Sequence, residues 1–173
     1  MNGKGLIGMV EFIIPKTSLE LINKILKAYL IVYSEDALKA KDVSAKTGYS
    51  VAQIWKSNGF IIKIGLLSKI KGGFILTPIG KEYAALLMNN RDDEAYELLK
   101  NIILQYEPIE FIINFVKLEG SVNMEQLRKR IINLAGLNLK IADHGAGLNG
   151  IIEILFATKI LKFQDEKIIL GDI

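Results

Sequence analysis

The sequence predicts a mainly α fold with small β-hairpins, an α+β class, built as two tandem units. Three observations predict it. Apolar residues recur at 3- and 4-residue spacing through most of the 173 residues, the period of half-buried helices. That period breaks around Lys71-Gly72-Gly73 and around Gln164-Asp165-Glu166, where short apolar runs flank turn residues. Helix, tight turn, helix and hairpin follow one another in the same order around both breaks.

Residues 1–16 read as a tail with one strand-forming run, Met9–Ile14, stopped by Pro15; Gly3, Gly5 and Gly8 predict mobility before it. Thr17 or Ser18 caps the first long helix, with Glu20 in its first turn. Leu19, Ile22, Ile25, Leu26, Tyr29, Leu30 and Tyr33 form its apolar stripe, leaving Glu20, Asn23, Lys24 and Lys27 outside. Ser34 to Asp36 breaks it. A short helix over 42–47 ends at Gly48, where a left-handed residue closes a helix at least cost. Ser50 caps the next helix, whose predicted inner face is Val51, Ile54, Trp55, Asn58, Ile61, Ile62 and Gly65. Strands over 66–70 and 74–77 follow, and Thr77 with Pro78 restarts a helix as cap and first helical residue.

A junction near 89–92 divides the chain into a first unit, 17–90, and a second, 91–173. Asp92, Asp93 and Glu94 suit the positive end of a new helix, and Pro108 separates that helix from one over 109–118. Gly120 ends the latter. Asn123 with Gln126 makes a capping box for 124–135, stopped by Gly136, and a further helix occupies 147–157. The segments 159–163 and 167–170 make the second hairpin.

Two phrases in the first unit carry a family resemblance: IGLL at Ile64–Leu67 and LTPIGKEYA at Leu76–Ala84. They resemble the x-G-L-I that closes a recognition helix and the L-T-x-x-G-x-x-x-A that follows a wing in the winged helix-turn-helix DNA-binding superfamily. The resemblance covers about half the chain, roughly 18–88, and its flavour is archaeal and regulator-like. It implies a winged-helix fold for the first unit, and because the second unit repeats the same order of elements, the chain resembles two winged-helix domains in tandem. The first would lay its recognition helix, 50–64, in the major groove and its wing, 66–77, on the DNA backbone.

Composition limits the alternatives. Half the residues are hydrophobic and 24% charged, which suits a globular protein. The absence of cysteine excludes disulfides, zinc–thiolate sites and thiol nucleophiles, and a reducing cytoplasm is the simplest setting. No run is long and apolar enough to span a bilayer, and the run 9–14 is interrupted by Glu11 with no cleavage-site pattern after it. Many isoleucines and lysines suit a thermophile. Charge is unevenly divided. Residues 1–90 hold 12 lysines against 6 acids, a balance of +6, while 91–173 hold 10 basic residues against 13 acids, a balance of −3. A polyanion would meet the first unit.

On the recognition helix the predicted outward residues are Ser50, Gln53, Lys56, Ser57, Phe60 and Lys63. Gln53 has the paired donor and acceptor for adenine, Lys56 suits guanine or phosphate, and Ser50 and Ser57 suit phosphate. The wing adds Lys69 and Lys71 beside Gly72 and Gly73, either as a phosphate or minor-groove contact or as a charged strand edge that resists aggregation. Trp55 is expected in the core. HGAGLNG contains Gly145, Gly147 and Gly150 in a literal G-x-G-x-x-G spacing, preceded by the strand-like 139–141. Ala142, Asp143 and His144 separate that run from the first glycine, few residues follow, and no alternation of strands and helices accompanies it. The glycines are therefore expected to make a turn and a close helix contact, with no cofactor. His144 has no nucleophile or metal partner in view, so no enzyme is expected. The second unit carries acids where a phosphate reader needs lysine, and its large apolar residues between Ala95 and Leu118 predict a homodimer. The expectation is a DNA-binding transcriptional regulator with double-stranded DNA as partner. A protein-interaction scaffold of the chromosome-organising or complex-assembly kind is the alternative.

Overall fold

Local capping chemistry sets the helix boundaries. The computed structural model describes residues 11–32 and 37–173. Ser18 opens α1 (Leu19–Ile31), its hydroxyl accepting from Leu21 N at 3.3 Å. α2 (Ala40–Thr47) ends at left-handed Gly48, and Ser50 opens α3 (Val51–Lys63). β1 (Leu67–Ile70) and β2 (Gly73–Leu76) pair antiparallel, Leu67 facing Leu76 and Ile70 facing Gly73. Thr77 and Pro78 start α4 (Pro78–Met88) as cap and first residue. α5 (Asp92–Leu104), α6 (Glu107–Glu119), α7 (Met124–Ala135) and α8 (Ala142–Ala157) follow, then β3 (Leu161–Gln164) paired with β4 (Lys167–Leu170). The class is α+β: helices with two small antiparallel hairpins.

The same arrangement occurs twice, down to single hydrogen bonds. Leu38, just before α2, exchanges backbone bonds of 2.8 and 2.9 Å with Phe74 of β2. Val122, just before α7, exchanges bonds of 2.9 and 2.7 Å with Ile168 of β4. Left-handed Gly65 joins α3 to its hairpin, and left-handed Lys159 joins α8 to the other. Gly73 lies in β2 and not in the turn that the sequence predicts for it. A Cβ there would stand 2.4 Å from Leu38 O, so the bridging segment requires glycine. The second hairpin turns on Asp165 and Glu166, both left-handed, as a two-residue hairpin turn demands.

Three further expectations change. Glu11 to Ile14 form no strand; Ile13 N donates to the Tyr106 hydroxyl at 2.7 Å, and that hydroxyl lies 3.0 Å from Ile13 O. The rest of the expected strand, the glycines at 3, 5 and 8, Tyr33 and the break at 34–36 lie outside the described residues. Asn23, expected outside α1, is buried because it is paired: Tyr83 Oη donates to its Oδ1 at 2.8 Å, and its Nδ2 donates to Tyr96 Oη at 3.4 Å. α8 begins at Ala142, five residues early, so the glycine run lies inside a helix and 139–141 is a turn. Gly147 and Gly150 are needed there for close approach. A Cβ on either would stand 2.2 Å from Pro15 O or 2.1 Å from Thr17 O. Glu153, one turn further, accepts from Leu19 N at 2.8 Å and so satisfies an orphan amide of α1 from the other half of the chain.

One buried apolar cluster runs from Phe12 through Ile25, Ile61, Ile109 and Ile151 to Ile168, through both halves. Tyr29 is fully buried in it and accepts from Asn58 Nδ2 at 2.8 Å. Burial pushes its hydroxyl up to about 12, with the Asn58 bond opposing in part. The folded state therefore keeps a proton that the unfolded chain gives up near pH 10. The stability linked to it is complete below about pH 10 and lost as pH rises towards about 12, by up to about 2–3 kcal/mol. Burial pushes Tyr83 upward too, and further. Urea midpoints should fall across this window, and Tyr29→Phe should flatten the fall; equal slopes for the two proteins would refute the assignment.

Candidate nucleic-acid interface

α3 presents a different face from the one its spacing predicts. Ile54, Asn58 and Ile61 are buried as expected, but so are Ser57 and Phe60, for which the spacing predicts an outward position. Trp55 and Val51, expected inside, are 53% and 39% exposed. The outer strip consists of Ala52, Trp55, Lys56, Gly59 and Lys63, displaced by about a quarter turn from the expected one. Two neighbours bury this helix where the sequence shows only one. α1 takes the side of Asn58 through Tyr29. On the other flank Phe60 packs edge-on against Tyr106, centroids 6.4 Å apart, and Tyr106 in turn meets Phe12 at 6.0 Å.

The predicted residues therefore fare differently. Ser50 is exposed at the N-terminus of α3; its Oγ accepts from Gln53 N at 3.2 Å and its O–H remains free to donate to a phosphate. Gln53 is exposed, and its Oε1 accepts from Ser50 N at 2.9 Å, closing a capping box. A bidentate contact with adenine uses that same oxygen, so either its second lone pair serves the base or the cap bond opens. Ser57 is removed as a phosphate anchor: it is fully buried, and its Oγ donates to Gln53 O at 3.1 Å. Lys63 is exposed in the last turn, where a cation suits the helix dipole.

Lys56 is exposed but engaged. Its ammonium lies 2.7 Å from Asp143 Oδ1, in the first turn of α8, and this bond holds the Asp143 carboxyl below the usual carboxylate range. The partners are 87 residues apart, and nothing local in the sequence marks the pair.

Lys69 and Lys71 are both exposed, on β1 and at its turn, and neither has an ion-pair partner among the described residues. Trp55 links this hairpin to α3, its ring standing edge-on to Phe74 of β2 at 5.1 Å and 81°. Helix strip and hairpin thus form one surface. The second half differs at each corresponding point. Phe163 takes the place of Lys69 and stacks on Phe156 at 4.7 Å, and the tip is Asp165 and Glu166. α8 is committed through Gly147, Gly150 and Glu153 to residues 15–19.

Among the described residues no cluster of His, Asp or Glu is placed to hold a metal ion, and no helix is long and apolar enough to cross a membrane. Comparison with protein-family models, with curated proteins and with solved structures found no match.

Proposed function

We propose that the chain is a DNA-binding protein of two tandem winged-helix units, acting in transcriptional regulation, whose first unit docks on duplex DNA. The observation that carries this reading is the pair Lys69 and Lys71: exposed, without ion-pair partners among the described residues, and joined to the outer strip of α3 through Trp55 and Phe74. Ammonium groups so placed can neutralise phosphates and release condensed counterions. Lys63 and Ser50 extend the same surface; Lys56 contributes once it leaves Asp143. The second unit, with its acidic hairpin tip and occupied α8, serves contacts within the protein and between copies. Labelled mixed-sequence duplex should bind at low salt, measured by fluorescence anisotropy. Failure with every selected sequence would remove DNA from the account.

A specific observation favours a second reading, a protein-interaction scaffold. Val51 and Trp55 on α3 and Ile70 on the hairpin are exposed beside the same lysines, and such an apolar group suits a protein partner. Capture of DNA and capture of protein by this surface are separable by the salt dependence, steep only for DNA.

Self-association is proposed through the second half. α6 leaves Phe111 and Leu118 exposed, Leu118 at 86%. Light scattering at tens of micromolar should give twice the chain mass, and Leu118→Glu should return it to one. A single-chain mass for the unaltered protein would overturn the dimer.

A further inference from the structure

A cleft of 560 Å³ lies between the outer strip of α3, the segment preceding α1 and the start of α8. Its size is that of small-molecule sites. Aromatic rings line it, from Trp55 and Phe60 on α3 and from Phe12. Four polar side chains line it as well: Lys16, Lys56, Asp143 and His144.

Their charges do not cancel. Asp143 is taken up by Lys56 at 2.7 Å, whereas Lys16 is exposed, acts on the Asp143 carboxylate only at longer range, and has no ion-pair partner among the described residues. Asn138 N donates to His144 Nδ1 at 2.8 Å, so that nitrogen carries the lone pair and the neutral ring keeps its N–H at Nε2. α8 opens at the cleft with no side-chain cap on its first amides, which adds positive potential. Two ammonium groups against one carboxylate, with the α8 N-terminus adding to them, leave the cleft positive beside apolar rings, so an anion that carries a ring fits it.

We infer that this cleft binds a small planar aromatic carboxylate, its ring against the exposed Trp55 and its charge towards Lys16 and Lys56. Trp55 and Lys56 belong both to this cleft and to the proposed DNA surface, so a bound carboxylate and duplex would compete for them, but the cleft does not need DNA in order to bind. The sole tryptophan of the protein stands in the cleft wall and reports on it directly.

The test uses the full chain and three probes followed by Trp55 fluorescence: benzoate, benzylammonium with the same ring and opposite charge, and acetate with the charge and no ring. Benzoate should give a saturable change at concentrations about tenfold below either control, the scale of one charge-assisted contact or of one buried ring. Lys16→Ala should weaken benzoate about tenfold while the urea midpoint stays in place. Asp143→Asn should act in the opposite direction. It removes the competing carboxylate and frees Lys56, so benzoate should bind about three- to tenfold tighter. A merely damaged cleft would not gain affinity. Three results would each overturn the inference: no saturable response to benzoate, equal response to benzylammonium, or Asp143→Asn weakening benzoate as Lys16→Ala does.

Discussion

Replacing Lys69 and Lys71 together with alanine is expected to flatten the salt dependence of duplex binding by about 1.8 log–log units, since each phosphate contact contributes about 0.9. Three lysines of the surface have no ion-pair partner among the described residues: Lys63, Lys69 and Lys71. Lys56 is held by Asp143. The unaltered protein should therefore show a slope near −2.7 per protomer, a loss of about 40-fold between about 50 and 200 mM salt. The double variant should retain a slope of about −0.9, with weaker binding on all sequences alike. Asp143→Asn should move the other way, towards about −3.6, by freeing Lys56 for a fourth phosphate. Superimposable salt titrations of the unaltered protein and the double variant would take the hairpin out of the interface.

What the sequence discloses and what it hides divide along the range of the forces involved. Helix ends are legible because their causes are local. Ser18, Ser50, Thr77 and Asn123 satisfy amides one turn away, and left-handed Gly48, Gly120 and Gly136 follow helices they terminate. The hairpins are legible from turn residues between short apolar runs, though not the placement of Gly73, whose neighbour Leu38 is distant in sequence. The outer face of α3 is not legible. Periodicity shows that a helix has an apolar side, but Phe60 and Ser57 are buried because Tyr106, Phe12 and the second half close a second flank. The same holds for Asn23, polar by composition and buried by virtue of Tyr83 and Tyr96. Of the candidate DNA contacts, Lys63, Lys69 and Lys71 stand exposed as expected, because a hairpin tip and a helix end have few neighbours to hide them. Lys56 and Ser57 are altered by packing that only the folded chain reveals.

The glycine run provides the second large effect, and its three members should differ sharply. Gly150→Ala places a methyl group 2.1 Å from Thr17 O, and Gly147→Ala places one 2.2 Å from Pro15 O. Both obstacles are backbone, so α8 must move off the segment that leads into α1, disturbing the Glu153 bond to Leu19 N and the Lys56–Asp143 pair on the way. Each substitution is expected to cost about 3 kcal/mol, at the upper end of overpacking effects, with Gly150→Val costing more. A methyl group on Gly145 would meet nothing within 4 Å, and this glycine lies in the first turn of α8. Gly145→Ala should therefore stabilise the protein by about 0.5–1 kcal/mol, through helix propensity and a less flexible unfolded chain. A phosphate cradle demands the opposite ranking at its start, because there the first glycine makes the tight turn at the ligand. Urea midpoints of the three alanine variants separate the two accounts. Loss at Gly147 and Gly150 with gain at Gly145 identifies a helix pressed against backbone; equal loss at all three, together with a thermal shift on adding a dinucleotide, would return the run to cofactor binding.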